Sequence, residues 1–255
     1  MAYDNLQFCW HGVISTNPEK ALVFYTEAIG WSAEKVAMGD DEATILSANG
    51  VARGHLSPPH EEGMPSHFTN YLRVEDVDAA VESAVKHGGT QIVPGTDIPP
   101  GRFAVVASPS GAALHLFHEA DETTAENAPR DDIGSIFWVE CHSTGAAADL
   151  AWLEKSFGMT GKAMESSDGS GPPGGYTILH DNRGQPLGGI MTSMTPDKPS
   201  FWLTWVAVDD VDACLGRIDK LGGKALNQPM DMKGIGRMAV VMDPSGAVFG
   251  VITPA

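Results

Sequence analysis

Apolar positions along this chain alternate between a period of two and a helical period, in a recurring order. Residues 7–14 read as a strand. Asn17-Pro18-Glu19 then opens a helix, with Asn17 as cap and Pro18 suited to the first turn. Ala21, Leu22, Phe24, Tyr25 and Ala28 recur at helical spacing, and Gly30 stops the helix. Three short strands are predicted over 32–38, 42–48 and 51–57. A second set follows: a strand at 67–74, a helix capped by Asp76 and ending at Gly88-Gly89, and a short strand near 91–93. It closes with Gly101–Phe117, which reads as strand, tight turn, strand. Pro109-Ser110-Gly111 makes the turn, because Pro presets one torsion and Gly tolerates positive φ.

The pattern repeats in the second half of the chain. Gly101–Phe117 returns as Gly236–Val251, and Asp76-Val77-Asp78-Ala79 returns as Asp210-Val211-Asp212-Ala213. Lys86-His87-Gly88-Gly89 matches Lys220-Leu221-Gly222-Gly223, and the stretch around Trp10 aligns with that around Trp138. Repeats this long signal duplicated domains rather than a solenoid. The expected division is a first domain over 1–119, a linker over 120–132 that is polar and aperiodic, and a second domain over 133–255. The predicted fold class is α+β, with four βαβββ units paired into two tandem domains. Helices cover one face of each sheet, and the other face is free to line a cleft. Ser166–Gly175 is a flexible loop by composition, either a lid over such a cleft or a solvated connection.

Composition narrows the function classes. The chain has 255 residues, a formal net charge of −17 and three cysteines spaced far apart. That charge opposes binding to phosphate backbones, so a nucleic-acid partner is not expected. No apolar run reaches bilayer length and the first residues lack a basic-then-apolar leader, so neither a membrane nor secretion is expected. Cys9, Cys141 and Cys214 form no disulfide or Cys-x-x-Cys pattern, which fits reduced thiols in a cytoplasmic protein. There is no dinucleotide fingerprint, P-loop, nucleophile elbow or His-Glu-x-x-His motif.

The paired βαβββ units resemble the vicinal oxygen chelate superfamily, the glyoxalase, bleomycin-resistance and extradiol-dioxygenase group. The residues carrying this are Asn17 through Tyr25, Asp76–Ala80 ahead of Gly88-Gly89, and Ser108-Pro109-Ser110-Gly111. In the second half they are Asp210–Ala213, Gly222-Gly223 and Asp243-Pro244-Ser245-Gly246. Trp138–Thr144 and Trp10–Thr16 look like a two-domain glyoxalase-like branch. The resemblance implies a lyase, isomerase or dioxygenase acting on a small oxygenated molecule. It also implies an alternative, a non-catalytic protein that binds or sequesters a small molecule, as resistance members do.

Strand phase assigns the faces. Leu114 and Leu116 are the apolar pair of their strand, so His115 and Phe117 turn to the cleft; Phe249 and Val251 likewise leave Gly250 on the cleft side. His115 falls where metal-using relatives place a carboxylate, while Trp10 and Thr69 fall at first-strand ligand positions. A divalent transition metal would therefore have His115 and His55 as its first donors, with His11, His60 or His67 as candidates for a third. No complete metal shell is expected. The first-domain cleft set is Trp10, Gly12, Arg53, His55, Thr69, Tyr71, His115 and Phe117. Aromatic walls, a few polar tips and one cation suit a small organic ligand. Arg53 is a candidate receiver for a carboxylate or enolate, and Tyr71 and His115 are candidate acid–base groups. The second-domain set is Trp138, Glu140, His142, Gly189, Met191, Leu203, Trp205 and Gly250. Glu140 and His142 alternate with apolar neighbours, so both point into the cleft as an acid–base pair or as two metal ligands. The oligomeric state is not fixed by any of these features.

Overall fold

A computed structural model describes residues 6–39, 41–120, 132–164, 172 and 174–255. Nearly all of the expected linker, and most of the Ser166–Gly175 loop, lie outside the described residues.

The first βαβββ module comprises β1 (Gln7–Ile14), α1 (Pro18–Phe24), β2 (Ser32–Met38), β3 (Asp41–Ala48) and β4 (Val51–Ser57). The second comprises β5 (His67–Arg73), α2 (Val77–Lys86), β6 (Thr90–Ile98), β7 (Gly101–Ala107) and β8 (Ala113–Glu119). The third comprises β9 (Ile136–Ser143), α3 (Ala146–Phe157), β10 (Thr160–Ala163), β11 (Tyr176–His180) and β12 (Pro186–Thr192). The fourth comprises β13 (Phe201–Ala207), α4 (Val211–Lys220), β14 (Lys224–Ala225), β15 (Met230–Met232), β16 (Gly236–Met242) and β17 (Val248–Pro254). In every module the first and last strands are parallel neighbours: β1 with β4, β5 with β8, β9 with β12, and β13 with β17. A helix bridges each first strand to the antiparallel remainder, as a parallel pair requires.

The helix starts follow from the sequence. Asn17 accepts from the Lys20 N–H, Asp76 from Ala79 and Asp210 from Ala213, each at 3.0 Å. These caps satisfy backbone donors that a helix leaves orphaned. Two elements depart from the expected outline. After Phe24 the first helix widens into a π-helical turn over Tyr25–Ile29, which places Tyr25, Ala28 and Ile29 together in the interior before Gly30 turns out at φ 85°. The short strand expected near 91–93 runs instead from Thr90 to Ile98, with register shifts against β7 on either side of Val93. Pro94 lacks a ladder donor and Gly95 brings no side chain, so the strand persists only by bulging.

The chain packs as two compact units, each drawing on both halves of the sequence. Unit one holds the described residues of 6–9, 70–120 and 139–202. Its strands run in the orders β5-β8-β7-β6 and β10-β11-β12-β9. Unit two holds those of 10–69, 132–138 and 203–255, with the orders β2-β3-β4-β1 and β13-β17-β16-β14, and with β15 also on β16.

Aromatic residues dominate both interiors. In unit two, Tyr25 stacks on Trp31 at 5.5 Å, and both Phe24 and Tyr25 pack against Phe249 from the other half of the sequence. The Tyr25 hydroxyl donates to Asp243 at 3.1 Å. In unit one, Trp152 of α3 packs edge-on against Phe157 and donates its indole N–H to the Ala84 carbonyl of α2. Asp149, fully buried, accepts from the Ser110 N–H (3.1 Å), the Ser143 hydroxyl (2.6 Å) and the Ser110 hydroxyl. The Pro-Ser-Gly turn of one half is thereby tied to a helix of the other.

Candidate functional site

The four parallel strand pairs bring four residue couples face to face: Gly12 with His55, Tyr71 with His115, Glu140 with Gly189, and Trp205 with Gly250. Three of the four set a glycine against a large side chain. What fills the space over each glycine defines the chemistry of that face.

In unit one, β9 presents Glu140 and His142, two residues apart and so on one face. Each is only 7% exposed. His142 Nε2 lies 2.8 Å from Glu140 Oε1, and the Tyr176 hydroxyl donates to Glu140 Oε2 at 3.0 Å. Tyr176 reaches the carboxylate because Gly189 has no side chain: a Cβ there would lie 2.0 Å from the phenol oxygen. The His142 ring stacks on Phe201 at 4.9 Å with an interplanar angle of 14°. The carboxylate is thus held from both sides, and the imidazole is fixed by a hydrogen bond and a stacking surface. With Nε2 donating to Glu140, the neutral imidazole carries its lone pair at Nδ1. Met191, the register partner of both Tyr176 and His142, adds a buried thioether to this face.

Tyr176 was not among the residues expected from sequence. The signal available was phase: in the antiparallel pair β11–β12, Tyr176 stands on the same side as Gly189 and Met191.

Also in unit one, Tyr71 packs against its register partner His115 at 4.6 Å and against Phe117 at 6.2 Å. Leu114 and Leu116 are fully buried on the opposite face. Nearby, Arg73 and Glu119 form a largely buried ion pair, and the Cys9 thiol donates to the Tyr71 carbonyl. Burial, with the Glu119 charge adding, pushes the Cys9 thiol up to about 12.

In unit two, Trp10 Nε1 donates to His55 Nδ1 at 3.0 Å. A Cβ on Gly12 would meet the Thr69 hydroxyl at 2.3 Å and His55 Nε2 at 2.9 Å, so both groups converge over that glycine. Burial, with a smaller contribution from His60, pushes the His55 imidazole down to about 4. Arg53 lies two residues before His55 on β4, buried, and burial lowers its pKa. Elsewhere in this unit, Trp205 covers Gly250: a Cβ at 250 would lie 2.1 Å from Cε3 of the indole. Trp138 is half-buried on β9. Met194 and Met230 are both exposed.

The fold family implies a transition metal, which needs three or more converging donors. Among the described residues no three His, Cys, Asp or Glu side chains are grouped to hold one. Glu140 and His142 bind each other, Gly189 and Gly250 are covered by aromatic rings, and His55 Nδ1 is taken by an indole N–H. This donor set does not fit such a centre.

Residues 11–117 match the family described as glyoxalase-like domain, and residues 117–251 match the glyoxalase/bleomycin resistance protein/dioxygenase superfamily. The chain belongs to that superfamily. It is 32% identical over 252 residues to the protein named Putative glyoxylase CFP32 of Mycobacterium tuberculosis, covering 96% of this chain and 94% of the relative. It is also 32% identical over 262 residues to the anthracycline biosynthesis protein DauV of a Streptomyces species, covering 95% and 91%. Among solved structures, it superposes on the 2,3-dioxygenase LapB from a Pseudomonas species with a TM-score of 0.63 at 12% identity, covering all of this chain and 93% of the other. A Mn(II)-bound glyoxalase from Novosphingobium aromaticivorans gives 0.62 at 14% identity, covering 99% and 82%. At such identities the superpositions speak for the superfamily fold alone: two tandem glyoxalase-like domains of α+β class. No helix among the described residues is long and apolar enough to cross a membrane.

Proposed function

We propose that this glyoxalase/dioxygenase-like protein moves a proton on a small oxygenated organic molecule without a transition metal, using His142 as the base. One observation carries this reading: the buried Glu140 carboxylate lies between His142 Nε2 and the Tyr176 hydroxyl. The carboxylate fixes the imidazole tautomer and would stabilise the imidazolium formed when Nδ1 takes a proton. Tyr176 spreads the carboxylate charge and aligns it, a positioning role. Phe201 and Met191 supply an apolar, polarisable wall suited to a planar ligand. The name of the relative DauV supports an aromatic, polyketide-like oxygenated compound as substrate class. The net charge of −17 supports a small-molecule partner rather than a nucleic acid.

The test is solvent-deuterium incorporation into a panel of aromatic β-diketones and hydroxyquinones, followed by NMR with and without chelator. The expected result is enzyme-dependent exchange that chelator leaves unchanged and that falls about a hundredfold in Glu140→Gln and further in His142→Asn. Exchange that follows added metal, or that survives both substitutions, would exclude the reading.

A second reading, metal-free binding or sequestration, draws support from Trp205 lying over Gly250 and from the Tyr71–His115 contact, both of which present aromatic surfaces. Saturable binding of the same panel without any exchange would select it.

A further inference from the structure

The group around Gly12 in unit two shares no residue with the Glu140–His142 site and has its own chemistry. An indole N–H can only donate. Because Trp10 Nε1 donates to His55 Nδ1 at 3.0 Å, that nitrogen must carry a lone pair, and the neutral ring carries its proton on Nε2. The Cε1–Nε2 edge of the ring faces the space over Gly12, with Cε1 2.6 Å and Nε2 2.9 Å from where a Cβ would sit. The Thr69 hydroxyl reaches the same point at 2.3 Å. Thr69 is 4% exposed, and its hydroxyl has no hydrogen-bond partner among the described residues. A buried hydroxyl left without a partner costs stability, and such groups are normally satisfied. Two donors therefore converge on one glycine, with the buried Arg53 guanidinium on the same strand face as His55.

We propose that His55 and Thr69 form a two-donor site for the anionic oxygen of a small oxo acid, with Arg53 as countercharge and Trp10 as the positioning residue that fixes the His55 tautomer. In this arrangement His55 is neither a metal ligand nor a base. It is a neutral imidazole donating to oxygen, and burial keeps it neutral at physiological pH. The site draws on residues of the first module and the start of the second, and shares none with the Glu140–His142 pair.

The experiment uses the full-length protein labelled with 15N-histidine. Multiple-bond 1H–15N spectra are recorded from pH 5 to pH 8, without ligand and then with pyruvate, oxalate or benzoylformate. The expected result is a His55 ring that stays in the neutral Nε2–H form across the range, and whose Nε2 signal moves saturably with at least one of these acids but not with pyruvamide or oxamide. Trp10→Phe should restore a mixture of tautomers. Thr69→Val should weaken acid binding roughly tenfold, whereas Thr69→Ser, which keeps the hydroxyl and the fold, should bind as the parent does. A His55 ring protonated on Nδ1, no movement with any of the three acids, or equal binding by Thr69→Val would each overturn the proposal. The tautomer readout needs no variant, so a poorly folding Thr69→Val leaves the proposal open to refutation.

Discussion

Trp205 and Gly250 are register partners of β13 and β17, and the indole of Trp205 occupies the space that any side chain at 250 would enter. Gly250→Ala should therefore overpack unit two and lower its stability by about 1–3 kcal/mol. Pairing it with Trp205→Phe should cost less than the sum of the two single changes, since the smaller ring vacates part of the contested space. Urea denaturation checks this through the midpoint at constant slope. Strict additivity would mean that the two residues do not share that space.

Tyr176 and Gly189 stand in a similar relation, but with a polar outcome. Tyr176→Phe removes a hydrogen bond to a buried carboxylate, a change worth about 1.5–3 kcal/mol. Gly189→Ala keeps the hydroxyl but expels the ring that carries it. Both variants should shift the 13C carboxyl resonance of Glu140 at one fixed pH by withdrawing its phenol donor, measurable in protein labelled with 13C-glutamate. If Gly189→Ala leaves Glu140 untouched, the glycine is not what lets the phenol in.

Asp149 accepts three hydrogen bonds while fully buried. Asp149→Ala should cost unit one about 3–5 kcal/mol by stranding Ser110 and Ser143. Asp149→Asn should cost less, because the hydroxyls can rotate to accept from the new amide. Thermal unfolding of the two variants, compared with parent protein at one concentration, distinguishes these outcomes.

Stability should fall on both sides of neutrality, for identifiable reasons. Burial raises the Cys214 thiol to about 11, Cys9 to about 12 and Cys141 well up from 9.0. Between 9.0 and those values the unfolded chain sheds protons that the folded chain keeps, so stability declines as pH rises. Tyr25, raised by burial and by Asp243, adds to the decline above about pH 10. On the acid side, His55 at about 4 takes up its proton in the unfolded chain first, so its contribution disappears as pH falls from about 6.5 to 4. Denaturation midpoints across pH should show a shallower acid slope in His55→Gln and a shallower alkaline slope in Cys214→Ala.

Strand phase carried much of the architecture into the sequence. Leu114 and Leu116, and Phe249 and Val251, are buried as their alternation requires, and Glu140 and His142 share one face. The repeated Asp caps and Pro-Ser-Gly turns marked the second and fourth modules because each has a local physical cause. What alternation does not encode is the occupant of an empty place. A glycine announces room, but nothing local to Gly189 or Gly250 names Tyr176 or Trp205 as the tenant. Nor does spacing reveal that Asp149 will meet Ser110, 39 residues earlier, or that each compact unit takes its modules from both halves.

The bond from Tyr25 to Asp243 spans 218 residues, whereas those that close unit one, from Ser110 to Asp149 and from Ser83 to Ser156, span 39 and 73. A ribosome adding roughly 5–20 residues per second would leave Tyr25 without Asp243 for on the order of ten to forty seconds. During that interval the aromatic face of α1 is in need of shelter from a chaperone or from transient contacts. The middle of the chain can meanwhile assemble. Synthesis runs from one end to the other, but unit two can close only once residues 203–255, the last made, have joined residues 10–69.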